Sequence, residues 1–393
     1  MVRNYNLFRQ FSSGYRFDLL TFGGDSLLQD RENALKRLGP CFEGLEIVPE
    51  STLRKVEIRP KISKLKNIFY PSWLSFDSPY FSREMQEAVD KKASSSKYDL
   101  IFFCGFLMFP YYSQRMSGRT PYVVDIVDSL SVFMKSRLTV KKSLGEKWFD
   151  YVNVFWAKRY EKVHFSTVRH SIFISPVDQA EAQKNAPGSK MWVVPNGVDT
   201  DFFRSKGAVP KNDSLLFTGV MDYTPNVEAM TYFIHEILPL VRKRIPNMSL
   251  TIAGRNPTTA LRSLASRVPN ITLTGFVEDI RPFFEEAAVC VVPIISGAGL
   301  KNKILEAWSM SKPVVATSFS CNGLDVVHGQ NALIADTPQR FADAVVSLLL
   351  NPLQSKRLAE EGRRTIERSY SWESQAALLD KIIKEVAGSR INQ

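Results

Sequence analysis

From residue 214 onward, short apolar or β-branched runs alternate with longer amphipathic stretches. The runs are SLLFTG (214–219), SLTIAG (249–254), ITLTGF (271–276), VCVVPI (289–294), PVVAT (313–317) and ALIAD (332–336). Between them, NVEAMTYFIHEILPLVRKRI and TPQRFADAVVSLLL place apolar residues at helical spacing. Strands that are apolar throughout belong to parallel sheets covered on both faces, so the pattern predicts a Rossmann-like doubly wound α/β domain. The first half repeats the theme with FDLLTF, LEIVP, DLIFFCG, YVVDIVD and SIFIS. Between the halves, VVPNGVDTDFF (193–203) holds a Pro-Asn-Gly turn suited to a domain junction. The expected organisation is a first domain over 1–195 and a second over 196–368. A C-terminal helix over 369–393 would return towards the first. Two such domains would face a cleft at the C-terminal ends of their strands, where these sheets bind ligands.

The start of the chain departs from this pattern. In a doubly wound sheet the first strand lies centrally and leads into a glycine-rich turn. Here VRNYNLFRQFSS follows Met1 and reads as the first helix, and FDLLTF then reads as the second strand. The first domain is therefore expected to lack its first strand. Its sheet should be incomplete, or DLIFFCG should move inward to widen it. A start further upstream, adding a strand and a glycine-rich turn, would cure the gap.

Length and composition narrow the class. At 393 residues the chain exceeds the roughly 250–300 that one core usually serves. The longest apolar runs, such as LIFFCGFLMF (100–109), fall short of the ~18 residues that span a bilayer. No signal-peptide core follows the N-terminus. Four scattered cysteines (Cys41, Cys104, Cys290, Cys321) suggest reduced core thiols and a cytoplasmic setting, not a disulfide frame or zinc site. The net charge of +11 is uneven, with 29 Lys and Arg against 21 Asp and Glu in residues 1–199. The excess lies in 54–66 and in 135–162, where cations mix with Trp148, Phe149, Tyr151, Phe155, Trp156 and Tyr160. Such a segment suits an anionic membrane surface. A solvated charged face over an ordinary core helix explains it equally, and nucleic acid is a third reading that no recognised binding motif supports.

The densest chemistry lies in SGAGLKNKILEAWSMSKPVVAT (296–317). Its glycines let the backbone approach a ligand, and the helix that follows opens with N–H groups lacking intrahelical partners. Together they suit a phosphate, to which Lys303 adds a full positive charge. Glu306 lies three residues on, on roughly the same face, where its carboxylate can accept two hydrogen bonds from a ribose diol. The plain alternative is an exposed Lys303–Glu306 pair, which would leave the glycines and the strand–turn–helix context unexplained.

This stretch resembles the donor-binding segment of glycosyltransferase family four, the retaining enzymes of GT-B fold. The resemblance continues through VVPNGVDTDFF, FTGVMDYTPNVEAM, TIAGRNP, TGFVEDIRPFFEEAAVCVVP and SYSWESQAALLDKI, in order and at matching spacing. It covers about 190 residues strongly and the first half more loosely, and is nearest in wording to sugar transferases of bacterial exopolysaccharide clusters. It implies transfer of a sugar from a nucleotide-diphosphate donor to a glycan or lipid-linked acceptor, without metal or other cofactor. The enzyme would sit in the cytoplasm or peripherally on the inner membrane face. Carried over position by position, Glu306 would hold the ribose and Lys303 the diphosphate. Arg255, beside Gly254, would add a second cation, and the backbone at Phe276 and Val277 would meet the base. Gly219, Gly297, Ala298, Gly299, Leu300 and Lys301 would complete the donor side. Asp128, or failing that Asp125, would touch the sugar or acceptor hydroxyl, unless Asp128 merely caps the next helix.

Three positions depart from the family's pattern. Ala298 stands where the first glutamate of its paired motif falls, so backbone N–H groups of 297–300 or the other domain must meet the sugar hydroxyls. Val220, Met221 and Asp222 replace a common Arg/Lys pair, and Val127 stands where many relatives place histidine. Two other classes stay open: a nucleotide-sugar-binding protein with impaired catalysis, and a nucleotide-sugar epimerase of the same architecture. PNGVDTDFF and SYSWES speak against the second.

Overall fold

The computed structural model describes residues 2–11, 14–53, 81–95, 97–105, 108, 111, 120–139 and 144–388. The basic stretch 54–66 lies outside them. The chain divides into two compact units, Met1–Val194 with Gln375–Gln393, and Pro195–Ser374.

The second unit holds one six-stranded sheet of β7 (Ser214–Thr218), β8 (Ser249–Ala253), β9 (Ile271–Leu273), β10 (Val289–Val292), β11 (Val314–Ala316) and β12 (Leu333–Ile334). Their order is β12-β11-β10-β7-β8-β9, with every pair parallel. That is the doubly wound order in which the first strand lies centrally, as the apolar runs predict. β7 and β10 are buried along their whole length, because helices cover both faces of the sheet.

The helices of this unit are α8 (Thr224–Tyr232), α9 (Leu238–Arg242), α10 (Thr259–Ser266), α11 (Arg281–Glu286), α12 (Asn302–Ser309), α13 (Ser318–Cys321), α14 (Pro338–Leu350) and α15 (Pro352–Ser369). α8 and α9 form one continuous rod through a π-helical segment, Phe233–Ile237. Pro239 in the first turn of α9 has no N–H to donate backwards, and the wider π turn accommodates its ring. Residues 369–374, expected with the C-terminal helix, stay in this unit. Val198 N–H donates to Tyr370 O at 2.8 Å, and Trp372 packs over Gly197 closely enough to exclude a Cβ there.

The first unit contains β1 (Phe17–Gly23) and β2 (Phe42–Pro49), paired in parallel as a two-stranded sheet. A separate parallel sheet runs β3 (Ile101–Cys104), β4 (Tyr122–Val127), β5 (His170–Phe173), β6 (Lys190–Val193). β6 is a strand that the hydrophobic pattern does not reveal, since it is only four residues long and opens with the exposed Lys190. Its helices are α1 (Val2–Phe8), α2 (Asp25–Gln29), α3 (Arg31–Leu38), α4 (Arg83–Ala93), α5 (Leu130–Ser136), α6 (Leu144–Phe165) and α7 (Pro176–Asn185). α16 (Trp372–Gly388) begins in the second unit and continues here, where Tyr15 donates to Asp380 at 2.5 Å.

The expected incomplete sheet is present in this form: among the described residues, no strand joins β1 to β3. α1 supplies side chains where a strand would supply a ladder. Phe8 packs edge-on against Phe17 of β1 and against Phe102 of β3, each at 5.1 Å between ring centroids. Arg3 is nearly buried and bonds Asp125 of β4 at 2.9 Å and Val194 O at 2.8 Å. Asp18 on β1 accepts from Lys97 at 2.9 Å and Tyr98 at 2.6 Å, just before β3. All four thiols are free; Cys290 and Cys321 are core residues as expected, whereas Cys41 is half-buried and Cys104 exposed.

Candidate functional site

α12 is amphipathic in a way that fixes Lys303 and Glu306. Its buried side carries Ile304, Leu305, Ala307 and Trp308, all part of the second unit's core. Trp308 donates its indole N–H to Asn331 O at 2.8 Å and lies against α15 at Gly362. A Cβ at Gly362 would stand 2.3 Å from the indole, so only glycine admits the ring. With that side anchored, Lys303 and Glu306 lie half-buried beside the C-terminal ends of β7 and β10.

The ammonium of Lys303 donates to Asn226 Oδ1 at 2.7 Å and lies 4.5 Å from the centre of the Phe217 ring. Asn226 is itself held by its amide, which donates to Val220 O at 2.9 Å. Lys303 has no carboxylate partner within ion-pair distance among the described residues, so the plain alternative of a Lys303–Glu306 pair does not hold. Burial lowers the Lys303 pKa to about 7, against a raising effect from Glu306 and a further lowering from Lys301. Burial also raises Glu306, opposed by Lys303. The Glu306 carboxylate accepts no hydrogen bond among the described residues. A half-buried acceptor without a donor is suited to a ligand's hydroxyls.

The turn before α12 is an array of amides. Gly297 and Gly299 take φ of +106° and +70°, in the left-handed region that glycine favours. Among the described residues, the N–H groups of Ala298, Gly299 and Leu300 donate to no protein acceptor. Successive amides in such a turn make an anion-binding concavity. The helix itself begins at Asn302, two residues later than the sequence pattern suggests, and its opening amides are already engaged: Asn302 N–H donates to Leu300 O and Ile304 N–H to Lys301 O. The turn, more than the first helical residues, therefore offers the free donors. Lys301 bonds the carbonyls of Ala298 and Gly299 at 2.9 and 2.7 Å, which holds the turn in shape.

Gly219 and Gly254 end neighbouring strands, both at φ +151°. A Cβ on Gly254 would fall 1.7 Å from Gly219 O, and one on Gly219 would meet Asn226 at 2.7 Å and Lys303 Nζ at 3.3 Å. The structure thus brings Gly219, Gly254 and Lys303 together, with Asn226 between them. Met221 N–H donates to Arg255 O at 2.8 Å, which sets Arg255 at the same strand ends with its side chain exposed. Phe276 is 72% exposed, following Gly275 at φ +72°, and Val277 is half-buried beside it. Sequence reasoning missed Asn226 and Phe217, which contact the Lys303 ammonium. Their separation from Lys303, 77 residues for Asn226, leaves no local signal.

In the first unit, β4 ends in a bulge. Val127 sits at φ +75°, an outlier for a β-branched residue and a conformation associated with functional sites. Asp128 follows it and is not the helix cap: Ser129 accepts from Val132 N–H at the start of α5. Asp125 is 1% exposed and engaged by Arg3.

The second unit is thus a doubly wound parallel sheet with an amide turn, a lysine and an open carboxylate at its strand ends. Residues 212–351 match the family model "Glycosyl transferases group 1", so the second unit carries a group 1 glycosyltransferase domain. Among curated relatives, an "Uncharacterized 44.6 kDa protein in cps region" of Klebsiella pneumoniae is 23% identical over 246 residues, 61% of this chain and 62% of that protein. A phosphatidyl-myo-inositol mannosyltransferase of Mycobacterium tuberculosis is 27% identical over 220 residues, 53% of this chain and 57% of that protein. The chain thus spans about 60% of the length of these relatives. Among solved structures, sucrose-phosphate synthase from Thermosynechococcus elongatus superposes with a TM-score of 0.62 at 15% identity, covering 95% of this chain and 100% of that one. Anabaena Alr3699/HepE, in complex with UDP and glucose, gives 0.59 at 14% identity, covering 93% and 98%. The fold is GT-B.

Proposed function

We propose that the protein is a retaining glycosyltransferase that uses a nucleotide-diphosphate sugar and a glycan or lipid-linked acceptor in surface polysaccharide synthesis. One observation carries this most: Lys303, the unpartnered Glu306 and the three free amides of 298–300 gather at the strand ends of a group 1 glycosyltransferase domain. Glu306 accepts from the ribose diol, and the amide turn and Lys303 hold the diphosphate, with Arg255 as a second cation. The backbone at Phe276 and Val277 meets the base. As the bond between the anomeric carbon and the diphosphate oxygen breaks, the negative charge grows on that oxygen. Lys303 and the amides stabilise it without reorganising. The acceptor oxygen forms the new bond on the same face, and its proton passes to the departing phosphate. Asp128 is assigned to the sugar or acceptor hydroxyl.

The nucleotide sugar is a co-substrate, and positive charge comes from side chains and amides, so turnover is expected to persist in chelator. A panel of nucleotide sugars screened by thermal shift, followed by a transfer assay on the hits, tests the assignment. Stabilisation by one donor with transfer supports it. A second reading, a nucleotide-sugar-binding protein without turnover, is favoured by the split sheet of the first unit and by Ala298. Binding without hydrolysis or transfer would select it. The polysaccharide setting draws on the relative from a cps region, and localisation at the cytoplasmic face follows from the donor. No described helix is long and apolar enough to cross a membrane.

A further inference from the structure

α6 presents a face that nothing in the transferase site uses. Trp148, Tyr151, Phe155, Arg159 and Lys162 recur at spacings of three and four, so they form one row along the helix. Trp148 is 51% exposed and Tyr151 and Phe155 each 62%, and Val163 adds 45%. These are large side chains to leave in water, and they are contiguous. Lys147, Lys158, Arg159 and Lys162 flank them, all exposed and none with an acidic partner among the described residues.

The acids of the same helix lie away from this row. Asp150 is buried and pairs with Arg137 at 3.0 Å. Glu161 is fully buried and accepts from Ser129 Oγ at 2.8 Å and Ser131 N–H at 3.0 Å. Glu146 is exposed in the first turn, off the row. The opposite face buries Val154, Ala157 and Phe165, which fixes the rotation of the helix. An aromatic stripe rimmed by unpaired cations, held in place by a packed back face, is complementary to a surface that is apolar beneath and anionic on top.

We propose that the exposed face of α6 docks the protein on a bilayer rich in anionic lipid. Trp148, Tyr151 and Phe155 enter the headgroup boundary, and Lys147, Lys158, Arg159 and Lys162 meet lipid phosphates. The row includes aliphatic Val163, which offers no ring for a base to stack on, and the convex helix provides no groove for a nucleic-acid backbone. The proposal does not rest on the transferase activity, because binding is read without donor or acceptor.

The test is flotation of the full chain with phosphatidylcholine vesicles, with and without phosphatidylglycerol. Binding is expected to require phosphatidylglycerol and to weaken with salt, as each cation near such a surface is worth about fivefold. Two variants, W148S/Y151S/F155S and K158E/R159E/K162E, should each lose at least tenfold. K243E/R267E/R340E, an equal charge change on exposed residues of the second unit, should lose less than threefold. A readout without disruptive mutation is quenching of tryptophan fluorescence by brominated lipid, which Trp148→Phe should diminish. Absence of binding at low ionic strength, equal loss in the second-unit control, or undiminished quenching in Trp148→Phe would overturn the proposal. So would tighter capture by single-stranded DNA than by the anionic vesicles.

Discussion

Lys303 is the residue whose environment says most about its task. Its pKa falls from an ordinary 10.5 to about 7 because burial removes the water that would solvate the charge. A bound diphosphate would restore that charge, so donor binding should take up a proton. Affinity for a nucleoside diphosphate should fall as pH rises above 7, until the bound form also deprotonates. Calorimetry in buffers of different ionisation enthalpy checks this, and a heat independent of buffer would count against it. Stability runs the other way: between about 7 and 10.5 the unfolded chain keeps a proton that the folded one releases, so this group's cost to folding, present in full below 7, is relieved as pH climbs. Glu306→Gln should weaken donor binding by about tenfold or more, since an amide cannot accept twice from a ribose diol and a charged hydrogen bond is worth roughly 1.5–3 kcal/mol. Unchanged affinity would remove Glu306 from the site. Lys301 and Lys303 should separate in kind. Lys303→Ala should reduce turnover, and Lys301→Ala, which frees the carbonyls of Ala298 and Gly299, should chiefly lower the melting temperature. The i,i+3 placement of Lys303 and Glu306 was legible in the sequence. The turn of Lys301 back onto its own loop was not, because spacing gives a residue's face and not the rotamer of a four-carbon chain.

At the scale of elements, α12 owes its position to Trp308 and Gly362. Gly362→Ala would drive a methyl into the indole and should destabilise by about 1–3 kcal/mol, read as a lower melting temperature. If α12 then shifts, donor affinity should fall as well, although Gly362 touches no ligand. α1 plays a comparable part in the first unit. Phe8 bridges β1 and β3 where no described strand joins them, so β1 and β2 each have one ladder where the central strands β4 and β5 of the other sheet have two. Hydrogen exchange should show β1 and β2 opening first, and protection equal to that of β4 would contradict this. The gap was legible because VRNYNLF carries a helical pattern and FDLLTF, the next run, reads as an outer strand of such a sheet. The device that spans it was not, since ring contacts between Phe8, Phe17 and Phe102 depend on tertiary packing. β6 escaped notice for a related reason: KMWV is short, begins with an exposed lysine and shows no clear period, which resembles loop as much as strand.

For the whole molecule, the two units differed in legibility because they differ in burial. The sheet of the second unit is covered on both faces, so its strands are continuous apolar runs, and the family match falls over 212–351. The first unit divides its strands between two sheets and exposes an aromatic helix, so its pattern is diluted and its kinship looser. The central claim is that the second unit's turn, Lys303 and Glu306 make a nucleotide-sugar site. The most direct measurement is calorimetric titration of the nucleotide sugar that stabilises the protein most, into wild type and into K303A/E306Q. Binding by wild type and a loss of at least a hundredfold in the folded double variant, roughly 3 kcal/mol or more for two charged contacts, is the result predicted. A double variant that binds as tightly as wild type would contradict it.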